Sequence, residues 1–285
     1  MTNFVAKFAD INVDISAFFE STNVFCADYI VDEAPDFSVA VSLEDIEYER
    51  VLSRVTSMRE LGHIVEYSDE YLETLALYRK IAIKMIDYGV LLFHGSGIAM
   101  DNEAYLFVAS SGTGKSTHTR LWREAFGSKV QVVNDDKPLV KVTTEGIFMY
   151  GTPWDGKHQL SSNIKVPLKA VCSLAQDKDN HIEEVGRKEA LSSVMKQIYM
   201  PSGRDEVSKW LPLVDELCSK VKFYQLHELQ QGKRYCPFVT TYSGLYRYNM
   251  NDLVEVGTPY FNTPRVFMIQ KVNGQDMGVL WRAPF

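Results

Sequence analysis

Apolar and polar positions change period several times along this 285-residue chain, and each change marks an element. Residues 37–42 (FSVAVS) alternate and predict a strand. From Ser42 through Arg54 the spacing turns helical, with Ser42 and Asp45 placed as a capping box in its Asp form. Residues 68–88 set Leu72, Leu75, Ala76, Ile83 and Ile86 near one face of a longer helix, which Gly89 ends. Two short apolar runs, 90–94 and 97–100, then pass through the turn Asp101-Asn102-Glu103 into 104–109, which predicts a β-hairpin. Residues 129–133, 139–143, 147–150 and 167–174 read as strands, and helices follow near 187–199 and 204–220. Short strands flanked by helices define an α/β class, and the hairpins point to a mixed sheet rather than an all-parallel one.

The hairpin leads into the run Ala109-Ser110-Ser111-Gly112-Thr113-Gly114-Lys115-Ser116-Thr117, after which 119–126 has helical spacing. Strand, glycine-rich turn, Gly-Lys-Ser and helix together make a loop suited to a nucleoside triphosphate, ATP or GTP. Gly112 and Gly114 let the backbone curl so that the N–H groups of residues 111–117 point inward at phosphate oxygens. The helix N-terminus adds partial positive charge. Lys115 brings a full charge to the β- and γ-phosphates, and Ser116 offers a hydroxyl to Mg²⁺. Ala109 stands where the usual pattern has its first glycine.

Downstream, Val132-Val133-Asn134-Asp135-Asp136-Lys137-Pro138 places two adjacent carboxylates at a strand end, where both can face one site. One is suited to hold Mg²⁺ and the other to accept a proton from an incoming hydroxyl; which does which is open. Trp154, Asp155, Lys157 and His158 form a polar loop between Gly151 and Leu160. There Asp155 offers a second metal ligand and Lys157 a charge for the moving phosphoryl group. Trp122 and Trp154 flank the expected site, and core packing explains Trp122 at least as well.

Composition narrows the function classes. A net charge of −7 argues against electrostatic nucleic-acid binding and gives no reason to expect an anionic membrane as partner. Cys26, Cys172, Cys218 and Cys236 are widely spaced and suggest neither a zinc site nor a disulfide framework. The first ten residues lack the pattern of a signal peptide and no apolar run reaches spanning length, so the expectation is a cytoplasmic protein.

The segments SGTGKSTHT (111–119), VVNDDKP (132–138) and YGTPWDGK (150–157) resemble the HPr kinase/phosphorylase and phosphoenolpyruvate carboxykinase superfamily, and most closely its bacterial HPr kinase-like branch. His94-Gly95 is similar to a His-Gly pair that the family carries ahead of its phosphate loop. The resemblance implies a mixed β-sheet P-loop core with flanking helices, Lys115 and Ser116 on triphosphate and metal, and Asp135 as base or metal partner. It also implies that Asp136 is the companion of Asp135, giving a metal set of Ser116, Asp136 and Asp155, with His94 near the transferred phosphate. Phe148-Met149-Tyr150-Gly151 occupies the place of the Glu-x-Arg-Gly signature of authentic HPr kinases, so the resemblance does not carry over a protein-serine acceptor.

The resemblance covers about residues 1–227. A second one begins after it: Cys236 to Asp252, with GLYRY at 244–248, resembles GH3-type acyl-adenylating enzymes, with Asn249 in place of their Arg. Asp252 matches the aspartate that contacts ribose in those enzymes. Residues 228–285 are accordingly expected to form a small β-rich, non-catalytic extension, with strands at 236–241 and 264–270. The leading expectation is an ATP-dependent kinase acting on a hydroxyl of a small molecule or peptide. A carboxykinase-like lyase and a non-catalytic nucleotide-sensing regulator stand beside it. Oligomeric state is open, a homo-oligomer included.

Overall fold

The computed structural model describes residues 1–110, 113–177 and 181–229, with short backbone stretches at 234–235, 238–239, 248–249, 252–256 and 266–271. The side chains of Glu60, Lys157, Gln176 and all residues from 228 onward lie outside that description. The described chain is a mixed α/β fold. It opens with a three-stranded sheet of β1 (Thr2–Phe8), β2 (Ile11–Ala17) and β3 (Phe37–Ala40), in which β1 and β2 are antiparallel and β3 runs parallel to β2. The β1–β2 turn is Ala9-Asp10, both at positive φ (51° and 62°), as the right-handed twist of a two-residue hairpin requires. Nothing local in the sequence announces this hairpin, because Ala-Asp is not a usual signal for that turn.

Three helices follow: α1 (Glu20–Phe25), α2 (Leu43–Leu61) and α3 (Asp69–Met85). The Ser42–Asp45 capping box is present at the start of α2, which continues beyond Arg54 to Gly62 in the left-handed conformation. A 3-10 turn (Ile86–Tyr88) extends α3, and Gly89 ends it at φ +75°, where an added Cβ would also meet the Val142 carbonyl at 2.8 Å.

The large sheet is mixed and curled. Its order is β4 (Val90–Leu92), β8 (Leu139–Val142), β9 (Ile147–Tyr150), β10 (Lys165–Asp177), β6 (Glu103–Val108), β5 (Ser96–Met100) and β7 (Val130–Asn134). Strand β10 joins its two halves. Residues 165–167 pair antiparallel with β9, and after an irregularity at 168–170 the strand runs parallel to β6 and to β12 (Lys222–Leu229). Strand β11 (His181–Glu184) lies on the far side of β12. The hairpin β5–β6 predicted ahead of the glycine-rich turn is present, with Asp101 and Asn102 at its tip.

Apolar packing holds three interfaces. One cluster joins the N-terminal sheet to α3 through Phe8, Ile15, Leu72 and Leu77. A second lies between the large sheet and the helices α5 (Arg187–Val194) and α6 (Arg204–Lys220), around Trp210, Val214 and Leu217. A third places α4 (Lys115–Phe126) on the sheet through Ile98, Phe107 and Trp122. Beyond 229, backbone is described for β13 (Arg234–Tyr235), β14 (Phe238–Val239), β15 (Tyr248–Asn249), β16 (Asp252–Val256) and β17 (Val266–Lys271). The central residues 244–247 of the GH3-like stretch lie outside the described residues. No described helix is long and apolar enough to cross a membrane.

The structure places Trp154 in the core: it is buried among Phe8, Phe25 and Tyr78, with ring centroids 5.3–5.7 Å away. Its indole N–H donates to the Thr74 carbonyl of α3 at 2.9 Å. Trp122 likewise packs on Tyr105, Phe107 and Phe126. Trp154 therefore ties the 152–158 loop to the N-terminal layer. Trp154→Ala is expected to lower stability by about 3–5 kcal/mol in urea unfolding, and Trp154→Phe by clearly less.

Candidate functional site

The site grows from the end of β7. Asn134 is fully buried, and its carboxamide holds four groups. Its Oδ1 accepts from the backbone N–H of Asp136 (2.9 Å) and of Lys137 (2.5 Å), while Nδ2 donates to the carbonyl (2.9 Å) and hydroxyl (3.0 Å) of Thr152. The Thr152 hydroxyl donates in turn to the Lys137 carbonyl at 2.8 Å. This turn, closed by the asparagine side chain, sends Asp135 and Asp136 to different surroundings.

Asp135 points inward and is 7% exposed. The Ser96 hydroxyl donates to its Oδ1 in a very short bond, and the Thr119 hydroxyl of α4 lies 3.4 Å from the same oxygen. Asp135 and Ser116 both line a cavity of about 170 Å³, together with Thr117, Arg120, Arg123 and His158. Asp136 is more open. Its Oδ1 lies 3.5 Å from His94 Nε2 and 3.2 Å from Lys137 Nζ. The backbone N–H of Gly95 donates to the Asp136 carbonyl at 2.9 Å, so the His94-Gly95 pair is laced to the aspartate turn. Gly95 is required by close approach, because a Cβ there would meet Phe107 O at 2.9 Å.

Strand β6 ends at Val108, and the chain re-enters a helix at Lys115 with Gly114 as cap at φ +119°. The Lys115 side chain folds back over the turn, donating to the Ala109 carbonyl at 2.9 Å. Burial lowers its pKa, with Lys137 acting in the same direction and Asp136 and Asp135 opposing. Ser111 and Gly112 lie outside the described residues. Thr113 N–H donates to the Ser110 carbonyl at 3.3 Å.

The 153–158 loop completes the site. Asp155 Oδ2 accepts from Ser161 at 2.8 Å, and its pKa is raised by burial first and then by the charges of Asp135 and Asp136. Gly156, at φ +72°, presses against Asp136: an added Cβ would stand 3.1 Å from the aspartate Cβ. Lys157 has its backbone in the turn Gly156–His158, and its side chain is among those outside the description.

The structure thus gathers His94, Lys115, Ser116, Asp135, Asp136 and Asp155 around the turn after β6. Sequence reasoning missed Ser96, Thr119 and Asn134, which position the carboxylates. Asn134 alone had a local signal, an Asx residue followed two positions later by backbone it can cap. It also missed Arg120 and Arg123, one helical turn or more past Ser116, which bring positive charge to the cavity.

Comparisons with known proteins add little. A family model described as the GH3 family central domain matches residues 200–271, about a quarter of the chain. That stretch begins before 228 and includes α6 and β12, which belong to the large sheet and its helical layer. No curated protein matches. Among solved structures, the Hpr(Ser) kinase/phosphatase from Coxiella burnetii matches at 11% identity over 49% of this chain and 85% of that one, with a TM-score of 0.28. A likeness that distant carries no argument about chemistry.

Two outcomes are expected. Asn134→Ala leaves two backbone N–H groups without their acceptor and costs about 3 kcal/mol in denaturant unfolding. His94 has its pKa lowered from 6.5 to about 4 by burial and by Lys137 and Lys115, against Asp136. The folded chain therefore keeps His94 neutral where the unfolded chain protonates it. Its contribution to stability is complete above pH 6.5 and is lost as pH falls toward 4. The stability of His94→Gln, measured against wild type across that window, should fall less steeply.

Proposed function

We propose that this chain is an ATP-dependent, Mg²⁺-assisted phosphotransferase that acts on a hydroxyl of a small molecule or peptide. The observation that carries the reading is the meeting of Ser116 and Asp135 on one cavity wall, with the Lys115 ammonium folded over the adjoining glycine-rich turn. An ammonium, a hydroxyl and a carboxylate at a helix N-terminus are the groups a triphosphate and its metal require.

The residues fit a hard cation. Ser116, Asp135 and Asp155 offer oxygen donors only; the Asp155 pKa is raised by burial and, to a smaller degree, by the charges of Asp135 and Asp136, and a positive ion beside them relieves both costs. When bound, Mg²⁺ offsets charge on the β- and γ-phosphates. Lys115 adds a second positive charge to the same oxygens, and Arg120 and Arg123 make the cavity favourable to anions.

Asp135 is engaged by two hydroxyls and buried, which suits a metal-side role. Asp136, half-exposed beside neutral His94, suits the base. In the transfer step the acceptor oxygen bonds to the γ-phosphorus and its proton passes to the Asp136 carboxylate. The bond from the γ-phosphorus to the bridging oxygen breaks, and ADP leaves. His94, held uncharged, makes no full ion pair with Asp136 and so does not lower the basicity of that carboxylate.

The test is label transfer from γ-labelled ATP to small-molecule and peptide extracts. Wild type should label an acceptor. Asp136→Asn should lower transfer by roughly 10²–10⁴-fold with ATP binding retained. Wild-type transfer by Asp136→Asn would overturn the base assignment. Saturable ATP binding with no transfer to any acceptor would overturn the kinase reading in favour of nucleotide sensing.

A further inference from the structure

A second cluster lies away from the glycine-rich turn, where β11 forms the edge of the sheet beside β12. His181 of β11 faces His227 of β12 directly across the antiparallel ladder. Their rings are stacked, with centroids 4.1 Å apart and an 8° interplanar angle. Glu183 is two residues beyond His181 and therefore on the same face. One ligand atom from each of His181, Glu183 and His227 lies within 4.8 Å of the others.

The state of His227 points to a ligand. Its Nδ1 lies 2.7 Å from Asp177 Oδ2 of β10, and a carboxylate can only accept, so the proton sits on Nδ1. The other ring nitrogen, Nε2, is the one left to meet a ligand. That atom is shut off from solvent and makes no hydrogen bond, with Glu183 Oε1 3.5 Å away. A buried lone pair without a donor, on a histidine oriented by a carboxylate behind it, is the arrangement of a metal-binding imidazole. Strand β11 also lacks apolar anchorage: all four of its residues are exposed.

We propose that His181, Glu183 and His227 bind one first-row divalent cation of the Zn²⁺ type, with Asp177 as positioning residue, and that the ion fastens β11 to β12. Two imidazoles and one carboxylate suit Zn²⁺ and its neighbours rather than Mg²⁺ or Ca²⁺, and three protein ligands leave a position for water. Tetrahedral bonds to Zn²⁺ set donor atoms roughly 3.3 Å apart, so closing the ligand set requires the solvent-facing His181 ring to turn out of the stack and, with Glu183, toward His227 Nε2. The inference is independent of the phosphotransferase reading.

The experiment titrates Zn²⁺, and Co²⁺ as a coloured probe, into untagged, chelator-treated full chain with Mg²⁺ in large excess. One ion per chain is expected at micromolar affinity or tighter, with Co²⁺ giving the visible absorption of a four- or five-coordinate site. His181→Ala, at an exposed position, should abolish the absorption, as should His227→Ala. Asp177→Asn should weaken binding by about 10–100-fold. Asp135→Asn, at the other site, should leave binding unchanged. No stoichiometric binding by wild type would overturn the proposal. So would binding that survives His181→Ala, or binding that Asp135→Asn removes.

Discussion

The carboxamide of Asn134 decides where the charged groups of the site stand. It sits in a place that excludes water, so the backbone N–H groups of Asp136 and Lys137 have no substitute acceptor there. Its other end grips Thr152, at the root of the loop that carries Asp155. One buried side chain thereby fixes the divergence of two neighbouring carboxylates and sets a third close to both. Backbone contacts carry the same constraint outward, through Gly95 to the His94 turn and through Asp135 N–H to the Leu160 carbonyl.

The electrostatic character of the site follows from that constraint. Three carboxylates are held near one another, and burial, with the charges of Asp135 and Asp136 behind it, raises the pKa of Asp155. Burial, and after it the charges of Lys137 and Lys115, keep His94 neutral. Such a balance of fixed opposite charges around a small cavity suits a ligand bearing both signs, as a metal-bound polyphosphate does. The Ser96 and Thr119 hydroxyls matter because they satisfy Asp135 on its inner side and leave its outer side to the cavity.

Much of the fold was legible because its elements announce themselves locally. The helix after the Ser42–Asp45 box, the helix closed by Gly89, and the hairpin that precedes the glycine-rich turn all have period or capping signals. The N-terminal hairpin was not legible, since its turn uses Ala9-Asp10, and neither was β11, which buries nothing and shows no period. At the site, residue types with obvious chemistry could be read from the chain. The residues that aim them could not, because Ser96, Thr119 and Asn134 come from separate elements and act only through tertiary contact. The burial of Trp154 was not legible either, because the N-terminal layer that covers it lies far away in the sequence.

Whether the turn after β6, with Asp135 behind it, receives a metal-bound triphosphate is decided by calorimetric titration of the intact chain with ATP, with and without Mg²⁺. Saturable one-to-one binding is expected, tightening strongly when Mg²⁺ is present and lost in Lys115→Ala. Absence of saturable binding, or binding of equal strength without Mg²⁺ and in Lys115→Ala, would contradict that reading.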